Sequence, residues 1–221
     1  MIIDERMVTY INSLDTGHTP FLENLERMAK QTKVPIIRRE MQSFLKVFLK
    51  MKQPKRILEV GTAVGFSAVF MAQYGEPDAE ITTIENYEKR IPIARENFKK
   101  SGFADRITLI PGDAAEVLKT LDGPYDFIFM DAAKGQYIHF LPEVLRVLDK
   151  NGVLITDNVL QDGDIIESRF AVERRNRTIH KRMREYLFEL THNEGLLTSV
   201  VPLGDGIAIT MKSHEKREET T

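Results

Sequence analysis

The chain has 221 residues, with 31 lysines and arginines against 33 aspartates and glutamates, a formal net charge of −2 and no cysteine. That length suits one sizeable α/β domain, the near-neutral total does not announce a nucleic-acid partner, and the lack of cysteine excludes disulfides, thiolate metal sites and a cysteine nucleophile. There is no run of 18 apolar residues for a membrane span, and the acid-bearing start MIIDERMVTYINSLDTGH does not read as a signal peptide, so a cytoplasmic protein with no membrane partner is expected.

Residues 1–51 are expected to be helical, because LENLERMAKQ and RREMQSFLKVFLKMK space their apolar residues three and four apart. From residue 56 onward, short β-rich runs alternate with helical stretches. RILEVG (56–61), EITTIE (80–85), RITLIP (106–111), YDFIFMD (125–131) and GVLITD (152–157) predict strands, with helices beginning near Gly65, Glu88, Ala114 and Gln136. Near-continuous apolar strands separated by helices imply a parallel sheet covered on both faces. At the end, LLTSVVPL and GIAITMK flank the turn GDG at 204–206, which signals a hairpin. The expected fold is α/β: a doubly wound, mostly parallel seven-stranded sheet with a terminal antiparallel hairpin. An N-terminal helical extension (1–51) packs on a main domain (52–213), and a charged tail (214–221) follows.

In an open α/β sheet, ligands sit outside the carboxyl ends of the strands. That rule puts Glu59–Gly65, Glu85, Asp113, Asp131 and Asp157 on one rim. A solvated loop could hold any one of these acids; recurrence at five successive strand ends points to a site. The first strand runs into LEVGTAVGFSA, with Glu59, Gly61, Gly65 and Ser67. The G-x-x-x-G spacing is neither the dinucleotide G-x-G-x-x-G nor a phosphate loop with Gly-Lys-Ser/Thr, which disfavours a NAD-linked oxidoreductase. Alone, such a turn could be merely structural. Glu85, twenty residues after Gly65, is placed to accept hydrogen bonds from ribose hydroxyls, and Asp113 to meet an adenine edge. Glu59 lies near where a cationic amino group could sit. A nucleoside carrying an amino acid and a sulfonium fits this acid-rich, lysine-poor turn better than a pyrophosphate does.

These features resemble the class I S-adenosylmethionine-dependent methyltransferases. MDAAKGQY, TDNV and PLGDGIAI narrow the resemblance to the metal-dependent O-methyltransferases related to the catechol and caffeoyl-coenzyme A enzymes, over roughly residues 35–212. The resemblance implies a Rossmann-like methyltransferase domain at 52–213 and S-adenosyl-L-methionine as cofactor. The implied cofactor contacts are Ile37, Glu59, Gly61, Gly65, Ser67, Glu85, Asp113, Ala114 and Asp131. Related enzymes are commonly dimers, so a homodimer is expected.

Asp131, Asp157 and Asn158 offer two carboxylates and an amide oxygen, a donor set suited to Mg²⁺ (or Mn²⁺). The bland alternative is a helix cap at Asp131 and a tight Asp-Asn turn. The resemblance places the metal on these three residues. Lys134 by itself reads as a solvated lysine; beside a divalent cation it would give up its proton more readily and could take the proton of an acceptor hydroxyl. The matching lysine of the family has that role. Tyr137 could line the pocket or pack its helix.

Between the fifth strand and the hairpin, residues 169–184 hold Arg169, Arg174, Arg175, Arg177, Lys181, Arg182 and Arg184 against Glu173 alone. Charge runs are usually a solvated helix face, but a footprint for a polyanion is the functional alternative. Arg38 and Arg39 could extend it. With DNVLQDGDI ahead of this segment, the whole chain resembles the bacterial tRNA 5-hydroxyuridine methyltransferases. The resemblance implies methylation of wobble 5-hydroxyuridine to 5-methoxyuridine in the tRNA anticodon loop, with Arg38, Arg39, Arg174, Arg175, Arg177, Lys181 and Arg182 as tRNA contacts. The 5-hydroxyl and 4-oxo groups form a vicinal oxygen pair, as in a catechol. A small-molecule catechol-type O-methyltransferase and a nucleotide-binding module without chemistry are the alternatives.

Overall fold

The computed structural model describes residues 3–213, so the charged tail expected at 214–221 lies outside the described residues. Seven strands form one sheet in the order β3-β2-β1-β4-β5-β7-β6, and the chain divides into two compact units, Ile3–Leu121 and the residues from 122 onward. Among the described residues, no helix is long and apolar enough to cross a membrane.

The first unit begins with three helices: α1 (Glu5–Ser13), α2 (Pro20–Gln31) and α3 (Arg39–Lys52). Asp4 caps α1 by accepting the Arg6 and Met7 amides, and Thr19 caps α2 by accepting the Leu22 amide. The breaks fall at Pro20 and Pro35, where a helix either starts or cannot continue. Arg38 and Arg39 thus stand at the start of α3. α1 buries no residue.

The strands β1 (Arg56–Val60), β2 (Glu80–Glu85) and β3 (Ile107–Pro111) pair in parallel, Ile57 opposite Ile81 and Ile81 opposite Ile107. Ile57, Leu58, Glu59 and Val60 are all buried, so β1 is covered on both faces. Helix α4 (Phe66–Tyr74) is apolar nearly all round and forms the centre of this unit. It packs against α2, α3, α5 (Ile91–Ser101), β2 and β3; the short α6 (Ala114–Thr120) packs on β2.

The second unit holds β4 (Tyr125–Met130), α7 (Tyr137–Val147), β5 (Leu148–Thr156), α8 (Arg177–His192), β6 (Leu196–Val201) and β7 (Ile207–Lys212). β4 and β5 are parallel, while β7 runs antiparallel to both β5 and β6. β5 starts at Leu148, four residues before the predicted Gly152. The reason is a bulge: Tyr125 pairs with Leu148 but Phe127 with Val153, so residues 149–152 stand opposite Asp126 alone. Their polar sequence hid the strand's beginning.

The β6–β7 turn clamps the segment that follows β5. Val159 donates its amide to the Gly206 carbonyl at 2.9 Å, and Leu160 to the Asp205 carbonyl at 2.8 Å. Gly206 has φ +83°, and a Cβ there would lie 2.2 Å from Leu160 Cγ. Left-handed backbone and overlap both penalise any other residue. Gly206→Ala should therefore destabilise the protein by on the order of 3 kcal/mol in urea unfolding. Combined with Leu160→Ala, the two losses should sum to less than their separate effects, because the overlap is shared.

Candidate active site

In the first unit, the segment after β1 is fastened to the end of β2. Gly61 and Thr62 donate their amides to the Ile84 carbonyl at 3.1 and 3.2 Å, and Gly65 donates to Thr62 at 2.8 Å. Gly65 has φ +86°, and the Phe98 ring occupies the space beside it, 2.4 Å from where a Cβ would be. Packing alone therefore demands glycine there. Ser67 follows, half-buried in the first turn of α4.

Glu59 is fully buried and accepts from Thr83 Oγ1 at 2.5 Å. Thr62 Oγ1 lies 2.5 Å from the same Thr83 oxygen. Thr83 has one hydroxyl proton, so when it donates to Glu59 it must accept from Thr62. Glu85 accepts the Ala63 amide on Oε2 at 2.7 Å and the Tyr87 amide on Oε1 at 2.8 Å. It thus splints the turn, a role its place in the sequence did not signal. Each carboxylate oxygen keeps a second lone pair for a ligand. Asp113 is exposed and caps α6 by accepting the Ala115 amide at 2.8 Å, with Ala114 half-buried beside it.

Ile37 is buried, and its carbonyl accepts from Gln42 Nε2 at 2.8 Å. Gln42 Oε1 in turn lies 2.7 Å from His18 Nε2, whose Nδ1 is 3.0 Å from the Tyr74 hydroxyl. Sequence reading missed this chain, since its members come from four separate segments. Arg38 is half-buried, and Arg39 is committed to Glu26 at 2.9 Å and Glu23 at 3.1 Å. Burial alone would raise Glu26; the bonds from Arg39 and Lys30 outweigh it and hold this carboxyl below its ordinary range.

In the second unit, Asp131, Asp157 and Asn158 come together at the ends of β4 and β5. Asn158 Nδ2 donates to Asp131 Oδ1 at 3.0 Å, leaving the amide oxygen available. Asp157 Oδ1 accepts the Asn158 amide at 2.7 Å, while the Asp157 amide donates to the Met130 carbonyl at 2.9 Å. Asn158 has φ +64°, a left-handed conformation that asparagine tolerates better than most residues. Lys134 opens a short 3₁₀ turn (Lys134–Gln136) and is half-buried. Tyr137 is a packing residue, fully buried; its hydroxyl donates toward the Ala132 and Asp157 carbonyls, at 3.2 and 3.3 Å.

The electrostatics follow from this crowding. Burial lifts Asp131 to about 6, with Lys134 and the Asn158 bond opposing and Asp205 adding to the rise. Burial and then the Asp131 charge lift Asp157 to about 8, again with a contribution from Asp205. Asp205, in the β6–β7 turn, is an acid that sequence reading did not single out. Among the described residues no group of three or more His, Asp or Glu side chains is gathered as a metal site; the candidate donors are two carboxylates and one amide.

The basic segment divides by direction. Arg169, Arg174, Arg175, Lys181 and Arg184 are exposed, with Arg175 paired to Glu173 at 2.7 Å and Lys181 to Glu185 at 3.6 Å. Half-buried Arg177 and Arg182 donate to backbone carbonyls, Arg177 to Val172 and Phe170 at 3.3 Å and Arg182 to Gly135 at 3.0 Å, and exposed Arg184 also donates to Ile165 at 3.2 Å.

Comparison with known proteins bears directly on this arrangement. The Mycobacterium tuberculosis protein named catechol O-methyltransferase is 31% identical over 160 residues, 71% of this chain and 73% of that protein. A Staphylococcus aureus protein assigned as a caffeoyl-CoA O-methyltransferase superposes with a TM-score of 0.87 and 32% identity, covering 95% of this chain and 100% of the other. The SAH-bound Podospora anserina methyltransferase PaMTH1 gives a TM-score of 0.85 and 28% identity, over 95% and 94% of the two chains. The sequence pattern of the family described as O-methyltransferase matches residues 12–213, so this chain belongs to the O-methyltransferase family.

Proposed function

We propose that the chain is an S-adenosylmethionine-dependent O-methyltransferase whose acceptor carries two adjacent oxygens, with a divalent metal, Mg²⁺ or Mn²⁺, held by Asp131, Asp157 and Asn158. The observation that carries this is the pair of raised carboxylates at neighbouring strand ends, buried Asp157 and half-buried Asp131, with Asn158 bonded to both. Carboxylates crowded out of water are relieved by a cation, and this all-oxygen set fits a hard one. When bound, such an ion supplies charge stabilisation and orientation for the acceptor oxygens.

The remaining work is assigned to the chain's own groups. Lys134 takes the proton from the acceptor hydroxyl. Glu85 accepts from the donor's ribose hydroxyls and Glu59 lies toward its amino group, while Asp113 is assigned to the adenine. The acceptor oxygen attacks the sulfonium methyl, the carbon–sulfur bond breaks and S-adenosylhomocysteine leaves. No covalent enzyme intermediate is required, and holding both reactants aligned can contribute roughly 7–11 kcal/mol.

The names of the relatives favour a catechol-type phenol as acceptor. A second reading, wobble 5-hydroxyuridine of tRNA, is favoured by one observation: Arg169, Arg174, Arg175 and Lys181 turn outward from a segment with a single acid.

The carboxylate pair generates a pH prediction. A carboxyl raised to about 8 from 3.8 keeps in the folded state a proton that the unfolded chain has released. In metal-free protein this contribution is fully present below about pH 4 and is lost as pH rises toward 8. Asp157→Asn should therefore melt several degrees above wild type at pH 8 in EDTA, with the gap narrowing by pH 5. Added Mg²⁺ should raise the wild-type melting temperature at pH 8 and leave the variant unmoved. A thermal-shift series over pH, with and without chelator, measures both.

Purified protein given S-adenosylmethionine and Mg²⁺ should methylate a catechol, and lose that activity on chelation and in Asp131→Asn. The tRNA reading expects 5-methoxyuridine, seen by nucleoside mass spectrometry, when tRNA carrying 5-hydroxyuridine is the acceptor. It also expects Arg174→Ala/Arg175→Ala to reduce that product about tenfold or more and to flatten its salt dependence. Activity on a phenol with none on tRNA would eliminate the second reading, and turnover that survives exhaustive chelation would eliminate the metal.

A further inference from the structure

Arg182 counts among the basic residues of segment 169–184, yet its guanidinium points at the turn that carries Lys134. Nη1 donates to the Gly135 carbonyl at 3.0 Å, a charge-assisted bond across 47 residues of chain. Ile179, one helical turn earlier on α8, brings its Cγ1 within 3.5 Å of where a Gly135 side chain would begin. The turn itself is a single 3₁₀ unit, and the residue that caps it, Ala133, has no side chain to do so by hydrogen bonding. Its internal support is the backbone bond from Gln136 to Ala133, at 2.8 Å.

α8 also braces the backbone on both sides. The Tyr186 hydroxyl lies 2.6 Å from Thr156 Oγ1, just before Asp157, and the Tyr186 ring meets Tyr137 edge-on with centroids 5.7 Å apart. Arg184 holds the Ile165 carbonyl at 3.2 Å, in the segment that follows Asn158. A group that moves a proton must be held within hydrogen-bond reach of it, so whatever fixes this turn governs the rate.

We propose that Arg182 is a positioning residue for Lys134, anchoring the Gly135 carbonyl to α8 so that the lysine is presented to the acceptor hydroxyl. The proposal rests on the O-methyltransferase reading, and it replaces direct tRNA contact as the role of Arg182.

The test compares Arg182→Ala, Arg182→Lys, Lys134→Ala and the double variant Arg182→Ala/Lys134→Ala, with Glu185→Ala as an exposed change on the same helix. With a catechol, which carries no phosphate, Arg182→Ala should lower kcat about tenfold or more and leave the acceptor KM within about twofold. Arg182→Lys should recover most of the rate, since an ammonium can still donate to the carbonyl. In the Lys134→Ala background, Arg182→Ala should cost nothing further. Backbone hydrogen exchange over residues 132–137 should quicken in Arg182→Ala and stay unchanged in Glu185→Ala.

Unchanged exchange with unchanged kcat would overturn the proposal. So would a loss confined to the KM for tRNA and sensitive to salt, or a loss that persists undiminished without Lys134. Should wild type methylate no acceptor, the functional reading falls, and the exchange measurement still decides whether Arg182 orders the turn.

Discussion

Asp131 and Asp157 occupy neighbouring strand ends with most of their surroundings dry, and the Asp205 charge acts on both. Like charges brought close in a dry setting repel, and burial adds a desolvation cost on top. Nothing in ordinary core packing calls for such a pair. It persists because the backbone around it is over-determined: the Asp157 amide is bound to Met130, its carboxylate takes the next amide along, and Asn158 reaches across to Asp131. Lys134 supplies the positive charge that acts on both acids, and it is too little to restore either to ordinary carboxylate behaviour. A second positive charge would relieve both acids, which is the role the proposed cation takes.

Much of the second unit reads as scaffolding for that pair. Tyr137 spends its hydroxyl on backbone carbonyls at 132 and 157, and burial raises its ionisation well beyond neutral pH, so it serves as a fixed donor rather than an acid–base group. From α8, the Tyr186 hydroxyl shares a hydrogen bond with the Thr156 side chain, next to Asp157. The turn at 204–206 pins residues 159 and 160 through backbone bonds, and Gly206 lets the chain pass Leu160 at a distance no side chain would permit. These supports act on the backbone or on a short side chain close to an acid, which is how a crowded polar cluster keeps its geometry without relying on long, flexible side chains.

The strands and their acid ends were legible because parallel strands buried on both faces leave apolar runs, and because ligand-side acids break those runs abruptly. EITTIE coincides with β2, and YDFIFMD with β4 up to Met130, for that reason. What stayed hidden depends on partners far along the chain. The bulge at 149–152 is polar and looks like a loop until β4 lies beside it. Glu85 reads as a ribose acceptor from its position, yet its two bonds to the Ala63 and Tyr87 amides exist only once the turn has folded over it. Gly65 looked like a ligand glycine, while the Phe98 ring supplies a packing reason that no local pattern contains. Asp205 escaped notice altogether, since GDG between two strands is sufficiently explained as a hairpin turn.

The basic segment shows why charge composition and contact are separate questions. Seven cations and one acid between residues 169 and 184 set a field, and a guanidinium bonded to a carbonyl keeps its full charge. Arg177, Arg182 and Arg184 therefore still add to the potential felt within a Debye length, about 8 Å at physiological salt, although their donors are turned to the protein's own backbone. Direct contact with a phosphate falls to outward side chains such as Arg174 and Arg175, whose own restraint is one exposed pair to Glu173, worth about 0–1 kcal/mol. A polyanion would be drawn by all seven and touched by few, whereas a neutral phenol would register only the inward group, through the turn that Arg182 holds. Arg169, Arg174 and Arg175, exposed and ahead of α8, and Arg182, bonded inward from it, thus differ by the direction of each side chain rather than by its type.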